Sequence, residues 1–438
     1  MVGGMTKATV FTVNPCDLHA RLSFEHEGQC LDCGRQSGGR SDQHAGTPPM
    51  GQGRARSRRH YMHGSHPGER GCRRALVGRV GRTMKSFPRA VAAVLTSTMA
   101  LAGCGGPDIN ELIGPFRAEV KRLGREAEIG DRLAVIGLDG WVFFGPELRH
   151  LSLGRFWGPE ASAVSRSRRP EEADPLPAIL DFKRRLDDLN VELLLVPVPP
   201  KAVIFPEKVS DAVAVPIPVP RLDPDHRQFY DRLMTDGVDV LDLTDLFIEE
   251  RFHPDGPLYC RTDTHWSGSG CTVAAAAIAA VIRDRRWYGE LDTQEYTAAW
   301  YSTTITGDLT FDGGVPGPQE ELRLRGVVTG RARGRAPVSA DPDSPIVLLG
   351  DSHNLVFHAG EDMHATGAGL ADQLAFELGL PVDLVAVRGS GATSARVDLL
   401  RRAQADAEYW ARKKLVIWCF AARELTESDG WRLLPIAP

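Results

Sequence analysis

The sequence lacks long apolar runs and fixed-period repeats, and it holds only eight cysteines. A membrane-spanning helix needs about 20 apolar residues, so a polytopic membrane protein is excluded. The absence of a repeat excludes solenoids and propellers. Hydrophobic residues make up 42% and charged residues 25% of the 438 residues, which excludes collagen-like and wholly disordered chains. Length alone predicts two or three domains of about 150 residues.

Residues 1–83 also lack a sustained apolar period and are rich in Gly, Arg, Ser and His. Such a segment buries too little apolar area to offset its chain entropy. It carries 13 Lys/Arg against 6 Asp/Glu, a net charge of +7, whereas the remainder has a net charge of −12. We therefore expect residues 1–83 to be a disordered extension or sequence upstream of the true start.

Two functional alternatives exist for this extension. Cys30 and Cys33, with Cys16 and His19, have ligand types that suit zinc, but no second pair follows at finger spacing. The arginines of residues 54–59 are of a type that binds nucleic acid, but the rest of the chain is acidic. We therefore expect no metal, no cofactor and no nucleic-acid partner.

A second start is indicated at Met84. Lys85 and Arg89 precede an uncharged apolar stretch, Ala90–Ala102, as in a secretion signal. The sequence Leu-Ala-Gly-Cys that ends at Cys104 resembles a bacterial lipobox, in which the cysteine is lipidated and becomes the first residue after cleavage. The alternative is a buried helix with an incidental cysteine.

This interpretation predicts a signal peptide over residues 84–103, a tether over 104–130 and a catalytic domain over 131–438. The protein would lie in the periplasm or on the extracellular face, anchored to the membrane by a lipid on Cys104. From that residue onward 37 Lys/Arg face 51 Asp/Glu, a net charge of −14. Export permits disulfides, and both a Cys260–Cys271 bridge and two free thiols remain open.

Short apolar runs alternate with amphipathic helical stretches from residue 131 onward, which predicts an α/β fold with a largely parallel sheet flanked by helices. The region 286–340 breaks this alternation and is a possible insertion. The predicted strands are 134–138, 141–144, 191–198, 238–243, 346–349, 382–387 and 415–420, with a strand or extended loop at 258–264. The predicted helices are 176–190, 227–235, 271–284, 370–378 and 395–411.

Polar residues at two predicted strand ends carry chemistry. Asp263 and His265 are two apart, so on an extended backbone they share one face, where the carboxylate can hold the imidazole as a base. They would otherwise be a surface turn or two metal ligands. A second apolar strand ends in Gly350-Asp351-Ser352. At such a strand end the serine hydroxyl is exposed and can act as a nucleophile. The alternative is that these residues cap a helix. Together they predict a Ser-His-Asp set.

Six stretches resemble the alginate O-acetyltransferase family, the AlgJ and AlgX type, whose catalytic part is an SGNH-hydrolase-like domain. The resemblance covers most of residues 131–438, and the stretches follow the family's order. In this order the Asp-x-His pair precedes the serine, whereas in ordinary SGNH esterases the serine comes first. The six stretches are GLDGWVFF at 137–144, VPVPPKAVIFPEKV at 196–209, YCRTDTHWSGSG at 259–270, TGDL at 306–309, LLGDSHN at 348–354 and VIWCFAARELT at 416–426.

The resemblance implies that Ser352 attacks the acyl donor, His265 takes the serine proton and Asp263 orients the imidazole. An acyl-serine would then pass its acyl group to a sugar hydroxyl. Candidate oxyanion donors are the backbone N–H groups of Ser352 and of the loop Gly389-Ser390-Gly391. Candidate substrate contacts, each with a structural alternative, are Arg423, Lys201, Trp141, Tyr259 and Trp266.

Two residues depart from the family pattern. His353 stands where an aromatic residue commonly follows the serine, and Cys419 stands where Glu commonly follows the last-strand Trp. The predicted function is an exported O-acetyltransferase for an extracellular polysaccharide, with a membrane-bound O-acyltransferase as donor partner. The alternatives are a carbohydrate esterase with the same triad and a polysaccharide-binding or assembly protein with a vestigial site.

Overall fold

The computed structural model describes residues 109–310, 317–330 and 336–437. The predicted extension 1–83, the signal peptide 84–103 and the lipidation site Cys104 lie outside the described residues. Within the described ranges, no helix has the length and apolar character needed to span a membrane.

Strands and helices alternate along most of the described chain. The strands are β1 Ala134–Ile136, β2 Val142–Phe144, β3 Glu192–Val198, β4 Asp239–Val240, β5 Phe252–His253, β6 Gly256–Pro257, β7 Tyr296–Thr306, β8 Gln319–Thr329, β9 Ala336–Pro337, β10 Ile346–Gly350, β11 Asp383–Ala386 and β12 Leu415–Ala421. The helices are α1 Ile109–Ile129, α2 Gly145–Ser152, α3 Ala161–Val164, α4 Pro175–Asp188, α5 Lys201–Ile204, α6 Pro224–Thr235, α7 Thr244–Glu250, α8 Gly268–Arg283, α9 Leu370–Leu378, α10 Thr393–Ala405 and α11 Glu424–Glu427.

The main sheet has five strands in the order β11-β10-β12-β3-β4, and every neighbouring pair is parallel. The predicted α/β class with a parallel sheet is therefore confirmed. Both faces of the sheet are covered, since alternate residues of β3, β10 and β12 enter two separate apolar cores. The carboxyl ends of parallel strands share one edge, where open α/β sheets bind ligands.

Of three predicted elements, one helix ends earlier, one strand is shorter and one helix has the predicted bounds. The predicted helix 395–411 ends at Ala405 because Asp406 adopts an extended backbone and its carboxylate accepts from the Glu408 N–H at 3.0 Å. The predicted strand 238–243 shortens to β4, which pairs with β3 over two residues. The predicted helix 370–378 coincides with α9.

The stretch predicted as a tether contains α1, and this helix packs against the catalytic fold. Leu112, Phe116 and Val120 are buried in the same apolar core as residues of β3 and β10. Gly124 lets the helix approach α2, because a Cβ there would lie 3.1 Å from the Arg149 backbone nitrogen. Residues 109–129 are therefore part of the folded unit, in contrast to a free stem.

The predicted insertion contains a separate antiparallel sheet of β7, β8 and β9. Strands β7 and β8 pair along their whole lengths, from Tyr296 opposite Thr329 to Thr306 opposite Gln319. The chain leaves β7 at Gly307 and Asp308, and it enters β8 beside Glu320. Both acidic side chains reach the loop that carries Asp263 and His265. The insertion thus helps to build the candidate site.

Candidate active site

Ser352 opens a short 3-10 turn, Ser352–Asn354, directly after β10. Strands β10 and β12 approach each other closely just before this turn. A Cβ on Gly350 would lie 1.7 Å from the Cys419 carbonyl oxygen of β12. The Asp351 carboxylate then accepts from the N–H groups of His353 at 2.9 Å and Ala421 at 2.7 Å. These contacts fix Ser352 at the carboxyl edge of the sheet.

Replacement of Gly350 tests this close approach. Gly350→Ala would force β10 away from β12 and should lower the free energy of unfolding by about 3 kcal/mol or more. Gly289→Ala is the control, because a Cβ at Gly289 meets no atom within 4 Å. Equilibrium denaturation measures both changes, and equal stability of the two variants would contradict the contact.

Ser352, His265 and Asp263 form a continuous hydrogen-bonded chain. The Ser352 Oγ lies 2.7 Å from His265 Nε2, and His265 Nδ1 lies 2.6 Å from Asp263 Oδ1. The His265 N–H also donates to Asp263 Oδ1 at 3.0 Å, so the two-residue spacing closes a local ring. With the proton on Nδ1, Nε2 can accept the serine proton. The structure therefore brings together the three residues that the sequence predicted.

The insertion holds the backbone of the loop before His265. Asp308 accepts from the Thr264 N–H at 2.7 Å and the Thr264 hydroxyl at 2.6 Å. Glu320 accepts from the N–H groups of Arg261 at 2.9 Å and Thr262 at 3.0 Å. Two carboxylates from the insertion thus hold Arg261, Thr262 and Thr264, and Thr264 immediately precedes His265.

Lys201 holds the same loop from the other side. Its Nζ donates to the carbonyl oxygens of Val142 at 2.6 Å, Arg261 at 2.9 Å and Asp263 at 3.0 Å. The residue is only 2% exposed. All three ammonium protons are therefore directed at backbone carbonyls. The sequence predicted Lys201 as a substrate contact. In the structure its ammonium group instead holds the loop of Asp263 and His265 in place.

Charges around the site favour an ion pair between Asp263 and His265. Burial disfavours the Asp263 carboxylate, but the positive charge of His265 and hydrogen bonds from His265 and His364 hold its pKa well below the usual range. Burial likewise disfavours the His265 imidazolium, but the charge and hydrogen bond of Asp263, with the Asp308 charge, raise its pKa. The site is thus built to stabilise the imidazolium that forms when His265 accepts a proton.

The acid limb of activity should respond to Asp308. A general base must be neutral, so the rate should fall as pH drops through the His265 pKa, which lies above its usual value of about 6.5. Asp308 Oδ2 lies 3.9 Å from His265 Nδ1, so Asp308→Asn should lower that pKa. We expect the acid limb of kcat/KM to move about half a pH unit lower. An unmoved limb or an upward shift would contradict this electrostatic role.

Part of the loop predicted to supply oxyanion donors already has other acceptors. Ser390 donates its N–H to the Val387 carbonyl oxygen at 3.3 Å. The Ala392 N–H, directly after the loop, donates to Glu424 at 3.3 Å. Gly391 packs tightly, since a Cβ there would lie 3.1 Å from Asp351 Cβ. Gly391 therefore supports the nucleophile turn, and the Ser390 N–H already has an acceptor.

Two other donors remain at the site. The Ser352 N–H is the first of its helical turn, so it has no acceptor within that turn. Arg423 is 9% exposed, and its Nη1 has no hydrogen-bond partner among the described residues. This Nη1 lies 3.6 Å from Glu147 Oε2, so Arg423 is ion-paired inside the protein. Its positive charge opposes the rise of the His265 pKa and contributes to the low pKa of His353.

Glu424 is a buried acid that holds the Gly391 loop. Burial and the nearby negative charge of Asp351 raise its pKa to about 8, against the opposing effects of Arg423 and the loop N–H groups. The side chain is therefore mostly protonated at neutral pH. A neutral acid at this position avoids a second buried negative charge beside Asp351.

The aromatic candidates for sugar stacking are buried. Tyr259 and Trp266 are 1% and 0% exposed, and Trp141 is 4% exposed. The Tyr259 hydroxyl donates to the Pro199 carbonyl oxygen, and Trp266 Nε1 donates to the His353 carbonyl oxygen at 3.0 Å. The faces of these rings therefore pack in the core, as expected for residues with a structural role. They offer no exposed surface on which a sugar ring could stack.

The two departures from the family pattern are accommodated by packing. Burial lowers the pKa of His353 to about 4 against the opposing charge of Asp351, so the ring is neutral at pH 7. Its centroid lies 4.9 Å from that of His265 and 5.4 Å from that of Trp266. His353 thus fills the position as an aromatic ring would. Cys419 is fully buried, and its carbonyl oxygen accepts from Asn354 Nδ2 at 2.8 Å.

Cys260 and Cys271 are both free and buried in the structure, which favours the alternative of two free thiols over a bridge. Burial raises the pKa of each thiol well above its usual range. Neither side chain is therefore an activated nucleophile. The loop of Asp263 and His265 is held by Lys201 and the insertion, without a disulfide.

Asp263, His265 and Asp308 bring ligand atoms within 4.8 Å of one another, a distance that also suits a cation. These atoms, however, already take part in hydrogen bonds with one another, with Ser352 and with Thr264. A cation would have to replace the bond between Asp263 and His265. We therefore assign these atoms to the proton-transfer chain.

Several contacting residues escaped the sequence analysis. Asp308 lies in TGDL, a stretch identified by resemblance, so a signal was present without a role attached to it. His364 lies 2.8 Å from Asp263 Oδ2 through its Nε2, yet it belongs to no recognised motif. Glu320 and Glu424 are isolated acids whose roles depend on burial. Spacing along the chain cannot reveal contacts that form across loops.

Comparisons with known proteins identify the family of the chain. A family profile described as SGNH hydrolase-like domain, acetyltransferase AlgX, matches residues 134–422. Probable alginate O-acetylase AlgJ of Pseudomonas syringae is 26% identical over 302 residues, covering 66% of this chain and 68% of that protein. Its namesake from Pseudomonas aeruginosa is 25% identical over 375 residues, covering 80% and 86%.

Solved structures also resemble the chain. The O-acetyltransferase domain of Pseudomonas putida AlgJ aligns with a TM-score of 0.48 at 23% identity, covering 67% of this chain and 92% of that one. Pseudomonas aeruginosa AlgX aligns with a TM-score of 0.47 at 17% identity, covering 68% and 67%.

Proposed function

The chain belongs to the family of SGNH hydrolase-like domains described as acetyltransferase AlgX, and from this premise we propose that it is an exported, serine-dependent O-acetyltransferase. Its acceptors are hydroxyl groups of an extracellular polysaccharide. The curated relatives above are named alginate O-acetylases, which supports acetyl transfer to a polymer of this class.

The chain of hydrogen bonds from Ser352 through His265 to Asp263 carries the proposal. In the first step Ser352 Oγ bonds to the acetyl carbonyl carbon, and its proton passes to His265 Nε2. The donor's leaving group then takes that proton as its bond to the acetyl group breaks. In the second step a sugar hydroxyl gives its proton to His265 Nε2, and its oxygen bonds to the acetyl carbonyl carbon. The bond from that carbon to Ser352 Oγ then breaks, and His265 returns the proton to Ser352 Oγ.

Transfer and hydrolysis share the first step and differ in the second acceptor. The purified full chain is incubated with an activated acetyl ester, with and without candidate uronate oligosaccharides, and products are followed by mass spectrometry. Acetylated sugar that requires the protein supports transfer. Acetate alone, unaffected by the oligosaccharide, favours the carbohydrate esterase. Neither product would favour a binding or assembly protein with a vestigial site.

Export through a lipobox is the second part of the proposal. Signal-like residues precede Cys104, and a protein outside the cytoplasm cannot draw on soluble cytosolic acyl thioesters. A membrane-bound O-acyltransferase that delivers the acetyl group would solve this supply problem. Attachment through Cys104 would keep the enzyme next to such a partner.

Cys104→Ser tests the anchor. We expect the wild-type full chain in the membrane fraction and the variant outside it, because the acylated sulfur is gone. Ser302→Ala, at an exposed serine of β7, is the control and should fractionate like the wild type. A wild-type protein that stays soluble and begins at Met1 would contradict the lipobox.

A further inference from the structure

A second histidine contacts the Asp263 carboxylate. His364 Nε2 lies 2.8 Å from Asp263 Oδ2, whereas His265 Nδ1 uses Oδ1. The Asp308 N–H donates to the same Oδ2 at 2.9 Å. Since Asp263 is ionised and accepts all of these bonds, His364 acts as the donor through Nε2–H. The carboxylate is thus held by one imidazole on each oxygen.

The backbone at His364 is strained. Its φ is 69° and its ψ is −39°, and the Ala365 N–H donates to the Met363 carbonyl oxygen at 2.9 Å. This pattern is a γ-turn with positive φ, a rare and strained conformation for a residue other than glycine. Strain of this kind persists where the surrounding structure enforces it, and it concentrates at functional sites.

The surrounding loop enforces this conformation. The Phe357 N–H donates to the Met363 carbonyl oxygen at 2.8 Å, and the Gly360 N–H donates to the Ala365 carbonyl oxygen at 2.9 Å. At the surface of the loop, Asp362 pairs with Arg388 at 2.6 Å. The strained turn is therefore braced from several sides, and its result is an imidazole placed on Asp263.

We propose that His364 is a positioning residue of the acetyl-transfer site, an inference that rests on the proposed function. Its Nε2–H fixes the rotation of the Asp263 carboxylate and draws negative charge from Oδ1 toward Oδ2. The Asp263 carboxylate then stabilises the His265 imidazolium less than it would alone. His265 therefore stays neutral, and able to accept the Ser352 proton, down to a lower pH.

Other charges at the carboxylate set the direction of the expected change. The titratable groups that face Asp263 and His265 are Asp308, His364 and His353, and His353 is neutral at pH 7. The nearby positive charges are Lys201 and Arg423. Asp308 favours the imidazolium, whereas the bond from His364 opposes it. Loss of His364 should therefore move the acid limb of activity upward, opposite to the shift expected for Asp308→Asn.

A glycine substitution separates positioning from mere support of the loop. His364→Gly removes the donor and also relieves the strained φ, since glycine adopts positive φ readily. A positioning role predicts lower activity without loss of thermal stability. A structural role predicts that stability and activity fall together.

The test measures acetate release from an activated acetyl ester by the full chain across pH, together with Tm. We expect His364→Gly to lower kcat/KM about tenfold and to raise the acid limb by about half a pH unit, with Tm not lowered. His364→Gln, whose amide can donate to the same oxygen, should recover most of the rate. The control Glu361→Gln, at an exposed side chain of the same loop, should match the wild type.

Three results decide the matter. A wild-type rate and acid limb in His364→Gly would overturn the positioning role, and so would a Tm that falls in step with activity and is not rescued by His364→Gln. Ser352→Ala is measured in parallel as the reference. If it is inactive while His364 variants are normal, only this inference fails; if it keeps wild-type activity, the proposed function itself fails.

Discussion

Ser352→Ala is expected to lower acetyl release and acetyl transfer at least about a thousandfold. The substitution removes the Oγ that lies 2.7 Å from His265 Nε2, which is the atom that forms the acyl bond in the proposed first step. The fold should be intact, because the turn is fixed by Asp351 and Gly350. Steady-state rates and Tm measured on the same preparation check both statements.

A matched control exists for this variant. Ser302→Ala changes an exposed serine on β7, away from the carboxyl edge of the main sheet, and should keep the wild-type rate. A Ser352→Ala protein that retains acetyl release would show that another residue carries the acyl group. A variant that is inactive and also unfolded would assign a structural role to the hydroxyl.

Lys201→Met is expected to cause the largest loss of stability, with the free energy of unfolding lowered by about 3–5 kcal/mol. Methionine has a similar length and apolar character but donates no hydrogen bond, so three backbone carbonyls lose their donor inside the protein. One of these carbonyls belongs to Asp263. We therefore expect activity to be lost in whatever fraction remains folded.

Lys208→Met is the control for this substitution. Lys208 makes an exposed ion pair with Asp139 at 2.6 Å, and such pairs contribute less than about 1 kcal/mol. Urea denaturation of both variants gives the comparison. If Lys201→Met were as stable and active as Lys208→Met, the ammonium would have no part in positioning the loop.

The parts of the fold that depend on local sequence were predictable. Continuous apolar runs bounded by turn residues identify β3, β10 and β12, because strands covered on both faces need such runs. The two-residue spacing of Asp263 and His265 and the strand end at Ser352 are also local signals. The structure joins them because these segments meet at one edge of the sheet.

The rest of the site depends on contacts between distant segments. Lys201, Asp308 and His364 come from three separate segments of the chain, and no pattern near any of them indicates the Asp263 loop as a partner. Burial was equally hidden, because a sequence does not say which lysine loses contact with water. The same limit applies to Gly391, whose close packing against Asp351 no sequence pattern indicates.

The charge states of residues at the site also depend on burial, which the sequence does not show. His353 follows Ser352 where an aromatic residue is common, and burial makes it neutral, so it fits as an aromatic ring. The buried Arg423 lies 3.6 Å from Glu147 Oε2 through its Nη1, a pairing that no local sequence pattern indicates. The roles of these residues thus depend on how far the fold buries them away from water.

The central claim is that Ser352 carries the acetyl group. The direct measurement is to mix the full chain with an activated acetyl ester, quench in acid within one turnover and sequence the peptides by mass spectrometry. We predict one acetyl group on the Ser352 hydroxyl, which is lost on chase with acceptor sugar and absent from Ser352→Ala. An acetyl group found only on another residue, or no acetyl-enzyme during active turnover, would contradict the account.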